Sequence, residues 1–254
     1  MSIELFCLKD KVILITGAAG GIGSAIAESF AAAGAKVVIT DCDLNRAVMF
    51  AQSLNDSYDL LPLELRVEKL DQCIEVVNKT VQCFGTIDVL INAAGVNTRM
   101  RPEEYDESTW EQIIKINLGG TFNMCQAVFS IMKERGGKVI NIGSILSLMA
   151  NEMTAPYAAS KGGVLQLTRS LACAWAKNQI NVNAILPGWI DTPLSRQARQ
   201  DIKGHAERVV ETTPLKRWGE PKDIVGSAFF LASSASDFVT GTSLVVDGGV
   251  TAHV

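Results

Sequence analysis

The chain has 254 residues, 48% of them apolar and 20% charged, with a formal net charge of −4. That length suits one large α/β domain, and an acidic chain without a basic run is not built for nucleic acid or an anionic membrane. Residues 12–27 are apolar but broken by Gly17, Gly20, Gly21 and Gly23, a poor membrane span, and Glu4, Lys9 and Asp10 leave no signal-peptide core.

The six cysteines are scattered and form no Cys-x-x-Cys, and His205 and His253 are the only histidines. Free thiols, no metal site and a reducing, cytoplasmic setting are therefore expected.

In chain order, residues 12–15 form a short β-branched run, read as the first strand. Thr16-Gly17-Ala18-Ala19-Gly20-Gly21-Ile22-Gly23 follows, then an alanine-rich helix to about residue 33 closed by Gly34. Residues 36–40 read as the second strand, ending at Asp41. In such a strand–turn–helix–strand unit, glycines let the backbone turn sharply beside a pyrophosphate, and the helix N-terminus offers free N–H groups. A carboxylate at the end of the second strand is placed to hold an adenosine ribose.

The alternation repeats. Helices are expected at 45–54 and 68–84, with strands at 59–65 and 87–91. A long, broken helix is expected over 108–116 and 120–132, then a strand at 138–142. A helix over 157–178, a strand at 181–186, a helix at 223–231 and a strand at 243–246 complete the pattern. Strands alternating with helices predict a parallel α/β sheet with helices on both faces. The polar stretch 189–213 reads as a lid over a site.

Tyr157 and Lys161 lie four apart on the helix expected at 157–178, so they share one face. A free phenol has a pKa of about 10. A cation about 4 Å away, at an effective dielectric near 20, favours the phenolate by about 4 kcal/mol. That pair can make a tyrosine that exchanges protons near neutrality.

Thr16-Gly-x-x-x-Gly21-x-Gly23, Asn92-Ala93-Ala94-Gly95, Ser144 and Tyr157-x-x-x-Lys161, in this order, resemble the short-chain dehydrogenase/reductase family. Asn117, Pro187-Gly188 and Asp247-Gly248-Gly249 extend the resemblance over essentially the whole chain. It implies a single-domain, Rossmann-type doubly wound sheet of about seven strands. It implies hydride transfer between a secondary alcohol and its ketone, with Tyr157 as general acid/base and Ser144 bonding the substrate oxygen. Lys161 is implied to acidify Tyr157 and to hold the nicotinamide ribose, and Asn117 to hold a water that relays protons.

Dinucleotide contacts are implied for Gly17, Ala19, Gly21, Ile22 and Gly23, and for Asp41 and Cys42 at the ribose. Further contacts are implied for Arg66, Val67, Asn92, Ala93, Ala94 and Gly95, for Tyr157 and Lys161, and for Pro187, Gly188, Ile190 and Thr192. The family's usual Asp-Val at the end of the third strand is Arg66-Val67 here. Asp41 accepts bonds from ribose hydroxyls and repels a 2′-phosphate, so NAD is expected over NADP, with Arg46 expected at a solvated helix position.

The loop Val96-Asn97-Thr98-Arg99-Met100-Arg101 looks like the gluconate 5-dehydrogenase and sugar–polyol branch. A guanidinium can grip a carboxylate through two bonds. Substrate contacts are therefore expected from Asn97, Arg99, Ser144, Leu146, Asn151, Tyr157 and Trp189. Leu148, Met149 and Met153 suit instead a 3-oxoacyl-thioester reductase or an enzyme for an apolar or cyclic secondary alcohol. A non-catalytic dinucleotide sensor is the remaining alternative. The helix from Tyr157 reads as apolar nearly all round, which predicts a second subunit against it; the resemblance implies a homotetramer.

Overall fold

The structure is a computed structural model and describes residues 3–196 and 204–253. A seven-stranded sheet carries the fold, with every pairing parallel and the order β3-β2-β1-β4-β5-β6-β7. The strands are β1 Val12–Thr16, β2 Lys36–Asp41, β3 Leu60–Glu64, β4 Val89–Asn92, β5 Gly137–Ile142, β6 Ile180–Pro187 and β7 Ser243–Val246. The helices are α1 Gly21–Ala32, α2 Leu44–Ser53, α3 Leu70–Phe84, α4 Glu107–Ile114, α5 Gly120–Met132, α6 Ala155–Trp175, α7 His205–Thr212 and α8 Pro221–Ala232.

The strands read as continuous apolar runs because both faces are covered. Successive residues point to opposite faces. Ile13, Ile15, Val37 and Ile39 pack with Ile26 and Phe30 of α1 and Leu231 of α8. Leu14, Val38, Leu90 and Val139 pack with Val77 of α3, Met124 and Val128 of α5 and Leu171 of α6. Pro62 is tolerated in β3 because that strand is at the sheet's edge.

The sheet order reverses between β1 and β4. In open α/β sheets such a reversal splays the loops at the strands' C-terminal ends and leaves a crevice for ligands.

The break expected between 116 and 120 is a π-helical turn, Lys115–Gly119, between α4 and α5. The helix expected from 157 starts earlier, at Ala155, with Pro156 in its first turn, where a missing N–H costs nothing. The stretch 189–213 contains helix α7, anchored by buried Val209, and residues 197–203 of the expected lid lie outside the described residues. One expectation fails: α6 is not apolar all round, because Leu167 and Trp175 turn inward onto the α5 side, Trp175 stacking on Phe129 at 4.9 Å. Its exposed face carries Ala159, Gln166, Arg169, Ser170, Cys173 and Ala174, small and polar.

Candidate active site

A cleft of about 530 Å³ opens along the C-terminal ends of the strands. At one end β1 finishes at Thr16, whose Oγ1 accepts from the N–H groups of Ala93 and Ala94 at 3.1 and 3.0 Å. That clip draws the loop after β4 against the loop after β1. Gly17 has φ +63°, and a Cβ there would lie 2.9 Å from Ala94 Cα, so the position needs glycine twice over. Gly20 caps α1 without any side-chain bond. The N–H groups at the start of α1 are thus left for a ligand, and Gly20, Gly21 and Ile22 line the cleft. A pyrophosphate fits this cradle.

Asp41 ends β2 and is 6% exposed. Its Oδ1 accepts from the Asp43 N–H at 3.2 Å and lies 3.5 Å from Arg46 Nη1. The other Arg46 nitrogen, Nη2, reaches the Ala19 carbonyl at 3.5 Å. Arg46 keeps its expected exposed position on α2, 54% exposed, and also reaches across the glycine loop to line the cleft. Burial and the Asp41 carboxylate both push the Cys42 thiol up, so it is a poor nucleophile. Arg66 and Val67 line the same end.

At the other end stand Ser144, Tyr157 and Lys161. Ser144 heads the 3₁₀ turn Ile145–Ser147, its Oγ accepting from the Leu146 N–H at 3.1 Å. Lys161 is 5% exposed; its Nζ donates to the Ile142 carbonyl at 2.6 Å and sits 5.7 Å from the Tyr157 ring centroid. Burial pushes the Lys161 pKa down to about 8. Burial pushes the Tyr157 phenol up, against a hydrogen bond with Ser144 and the charge of Arg99, which pull it down. Among the causes that move the phenol, burial is the largest and sets the net direction, with Arg99 as the cation that opposes it.

Several expected residues stand outside the cleft. Asn117, in the π turn, is fully buried; it accepts from the Val96 N–H at 2.8 Å and donates to the Val96 carbonyl and Ser160 Oγ. It staples the loop after β4, with Gly95 between it and Lys161: a Cβ there would lie 3.4 Å from Asn117 Oδ1 and 3.6 Å from Lys161 Nζ. Asn92 turns into the core, donating to Asn141 Oδ1 at 2.9 Å and to Cys125 Sγ, so its side chain is not a cofactor contact. Gly23 packs under the loop against Gly17, and the Ala19 carbonyl accepts from Arg46. Asn151 is exposed and does not line the cleft; its Oδ1 accepts from the Met153 N–H and Thr154 Oγ1, bonds internal to the turn before α6.

Asn97, Arg99, Leu146 and Trp189 do line the cleft. Asn97 Oδ1 is buried with no hydrogen-bond partner among the described residues. The Arg99 guanidinium lies 5.8 Å from the Trp189 ring centroid. Arg101 instead faces out, 3.7 Å from Glu152. Trp189 packs edge-on against His205 at 5.1 Å and Trp218 at 6.0 Å. His205 and Trp218 escaped the sequence reading because nothing local links them to Trp189. Pro187, Gly188, Ile190 and Thr192 also line the cleft, Thr192 against Gly21. Asp247 closes its own turn behind them, accepting from the Gly249 and Thr251 N–H groups.

A doubly wound sheet, a glycine cradle with a buried carboxylate near it, and a serine–tyrosine–lysine corner define an oxidoreductase acting on hydroxyl groups. A family model described as enoyl-(acyl carrier protein) reductase matches residues 17–251. The chain belongs to the short-chain dehydrogenase/reductase family. It is 38% identical over 252 residues to the 2-dehydro-3-deoxy-D-gluconate 5-dehydrogenase of Escherichia coli, covering 98% of both chains. It is 39% identical over 247 residues to the 3-oxoacyl-(acyl-carrier-protein) reductase of Thermotoga maritima, covering 96% of this chain and 98% of that one. Among solved structures, a gluconate 5-dehydrogenase from Burkholderia cenocepacia in complex with NADP and tartrate matches with a TM-score of 0.94 and 36% identity, over 99% of both chains.

Proposed function

We propose that the chain is a dehydrogenase of a sugar acid or related polyol, working as one domain, with Tyr157 exchanging the hydroxyl proton. The observation that carries this reading is the substrate end of the cleft, where the Arg99 guanidinium and the unpartnered Asn97 Oδ1 stand in the same cavity as Ser144 and Tyr157. A guanidinium suits a carboxylate and a buried acceptor suits a hydroxyl. The likeness to two sugar-acid dehydrogenases supports it.

Gly17, Gly20, Gly21 and Ile22 would hold the pyrophosphate, Asp41 the adenosine ribose, and Lys161 the nicotinamide ribose. The nicotinamide, when bound, supplies the hydride acceptor or donor. Ser144 donates a hydrogen bond to the substrate oxygen, while the Tyr157 oxygen takes the hydroxyl proton in oxidation and returns it in reduction. Lys161 stays largely protonated below pH 8. Asn117 positions the loop beside it, and the water relay of the family is proposed for that position.

NAD is proposed as the preferred cofactor, because Asp41 is a buried carboxylate facing the cleft. Arg46 narrows the preference: its guanidinium neutralises part of the Asp41 charge and is half exposed, free to turn towards a phosphate. The second reading, a 3-oxoacyl-thioester reductase, is favoured by the Thermotoga relative and by exposed Leu148 and Met149 beside the cleft. One panel tests both points: D-gluconate, sorbitol, acetoacetyl thioester and a cyclic alcohol, each with NAD(H) and NADP(H). Gluconate should give the highest kcat/KM, with NAD ahead of NADP by about tenfold, the worth of roughly one weak charge contact. Thioester ahead of gluconate, or a clear NADP preference, defeats the corresponding half.

A homotetramer in the cytoplasm completes the proposal. Trp110 on α4 and Phe122 on α5 are each 44% exposed, and β7 leaves a sheet edge open. Light scattering should return four times the chain mass; a monomer would remove the assembly from the account.

A further inference from the structure

Asn97 stands between two fastened neighbours. Before it, Val96 is held by Asn117 through both of its backbone groups, the N–H donating to Asn117 Oδ1 at 2.8 Å and the carbonyl accepting from Asn117 Nδ2 at 2.9 Å. After it, the Thr98 carbonyl accepts the hydroxyl proton of Tyr105 at 2.5 Å. Tyr105 follows the 3₁₀ turn Pro102–Glu104, where proline presets the first φ and the chain folds back towards Thr98. Both fasteners also hold the segment that carries Tyr157. Asn117 Nδ2 donates to Ser160 Oγ at 3.0 Å, and that hydroxyl donates to the Tyr157 carbonyl at 2.7 Å. The Tyr105 oxygen lies 3.1 Å from the Met153 carbonyl, which takes the Met100 N–H at 3.1 Å. The backbone at Asn97 is therefore tied to the chain on both sides of Tyr157.

The side chain of Asn97 is the part left unused. Its Oδ1 is buried without a hydrogen-bond partner among the described residues, and Asn97 lines the cavity that holds Ser144 and Tyr157. An acceptor cut off from water and left unpaired is costly, and such groups are rare unless a ligand or a water completes them. Asn92 and Asn178 also leave an amide oxygen unpartnered, but the nitrogen of each is bonded to the protein and neither residue lines the cleft. Of the three, Asn97 is the one that faces a cavity.

We propose that Asn97 is a specificity-determining residue, a fixed acceptor that reads a second hydroxyl of the substrate close to the reacting one, and that Tyr105 is the residue that positions it. The inference rests on the cleft being that of a polyhydroxy-substrate dehydrogenase with Tyr157 at the reacting carbon, and it narrows that reading. The recognised unit is a secondary alcohol with a neighbouring hydroxyl, whether or not the molecule carries a charge. A hydroxyl that donates to Oδ1 completes the acceptor. An alcohol that lacks it, or carries an ether oxygen in its place, shuts Oδ1 away from water with nothing to pair it. The two ties hold the loop before a substrate arrives, so the bond is made without the cost of ordering the loop.

The test is the oxidation of butane-2,3-diol, butan-2-ol and 3-methoxybutan-2-ol by the parent protein and by Asn97→Leu, Asn97→Asp and Tyr105→Phe. The parent should favour the diol in kcat/KM by about 10- to 100-fold over both others. Asn97→Leu, similar in size but without the acceptor, should bring that ratio to within about threefold of one, the diol losing and butan-2-ol gaining. Asn97→Asp keeps an acceptor and should keep the preference. Tyr105→Phe keeps the ring and loses the tie, and should lower the ratio by about 3- to 10-fold. A merely structural loss would lower all three alcohols together and leave the ratio alone. Circular dichroism confirms that each variant is folded. A parent ratio near one, or no turnover of the diol, overturns the inference. So does a ratio unmoved in Asn97→Leu, the result expected if a resident water already satisfies Oδ1. A ratio unmoved in Tyr105→Phe overturns the positioning role. The underlying reading fails separately: it falls if Tyr157→Phe oxidises the diol as fast as the parent, whatever the ratios show.

Discussion

Tyr157→Phe is expected to lower kcat by about 10³-fold in both directions, within the usual range for loss of a positioned acid/base group. That corresponds to about 4 kcal/mol of transition-state stabilisation. The ring stays, so packing against Lys161 and the cleft wall should survive, and the change in stability should stay below about 1 kcal/mol. Cofactor binding should be nearly unchanged, because the pyrophosphate cradle and Asp41 lie at the other end of the cleft. The pH dependence carries a sign. Burial raises the Tyr157 pKa, so oxidation by the parent should climb through the alkaline range as the phenolate forms, while reduction should decline there. The residual activity of the Phe variant should lack that limb. Lys161 titrates near pH 8, and its lowered folded-state pKa means that its burial costs stability below that pH and that the cost is relieved as pH rises towards the unfolded value. A variant with parental kcat and an intact alkaline limb would exclude the tyrosine from the chemistry.

The parts of this protein that were legible in its sequence are those fixed by local rules. Residues 12–15 announce a strand by their short β-branched run, and residues 13–16 do pair with a neighbour on both sides. Tyr157 and Lys161 were placed on one face by helical spacing alone. The glycines after β1 marked a sharp turn, and Gly17 indeed adopts a positive φ. What local rules do not supply is the environment. The four-residue spacing of Tyr157 and Lys161 brought an ammonium near a phenol, but it could not show that this ammonium donates to the Ile142 carbonyl or that burial lowers its pKa. Arg46 looked like one more charge on a helix surface, and only the approach of α2 to the glycine loop brings it to Asp41. Asn151 and Asn92 have the right chemistry for ligands, but the turn before α6 takes the first and the core beneath β4 and β5 takes the second. His205 and Trp218 meet Trp189 from segments far apart in the chain, and no periodicity reports that.

Gly23→Ala is expected to abolish dinucleotide binding in practice, raising the Kd by about 100-fold or more while costing about 2–4 kcal/mol of stability. Gly23 lies in the first turn of α1 and never touches the cleft; its effect is transmitted. A Cβ at this position would fall inside the contact distance of the Gly17 carbonyl oxygen, 3.0 Å from the Gly17 carbonyl carbon and 3.1 Å from Ala18 Cα. All three neighbours are backbone, so no side chain can swing aside. Relief requires α1 to move away from the loop, or the loop to move into the cleft. The loop is held, because Gly17 is itself packed on Ala94 and the Thr16 hydroxyl clips both Ala93 and Ala94. The helix therefore moves, and its first N–H groups leave the place where a pyrophosphate would meet them. A glycine in a different setting separates this from ordinary helix propensity: Gly226, in α8, has nothing within 4 Å of its would-be Cβ. Gly226→Ala should raise stability by about 0.5–1 kcal/mol and leave NADH binding as it was. Fluorescence titration with NADH and thermal melts of the two variants would decide the matter. Tight NADH binding by the Gly23 variant would mean that the turn after β1 tolerates a displaced helix and that the pyrophosphate is held by something other than the start of α1.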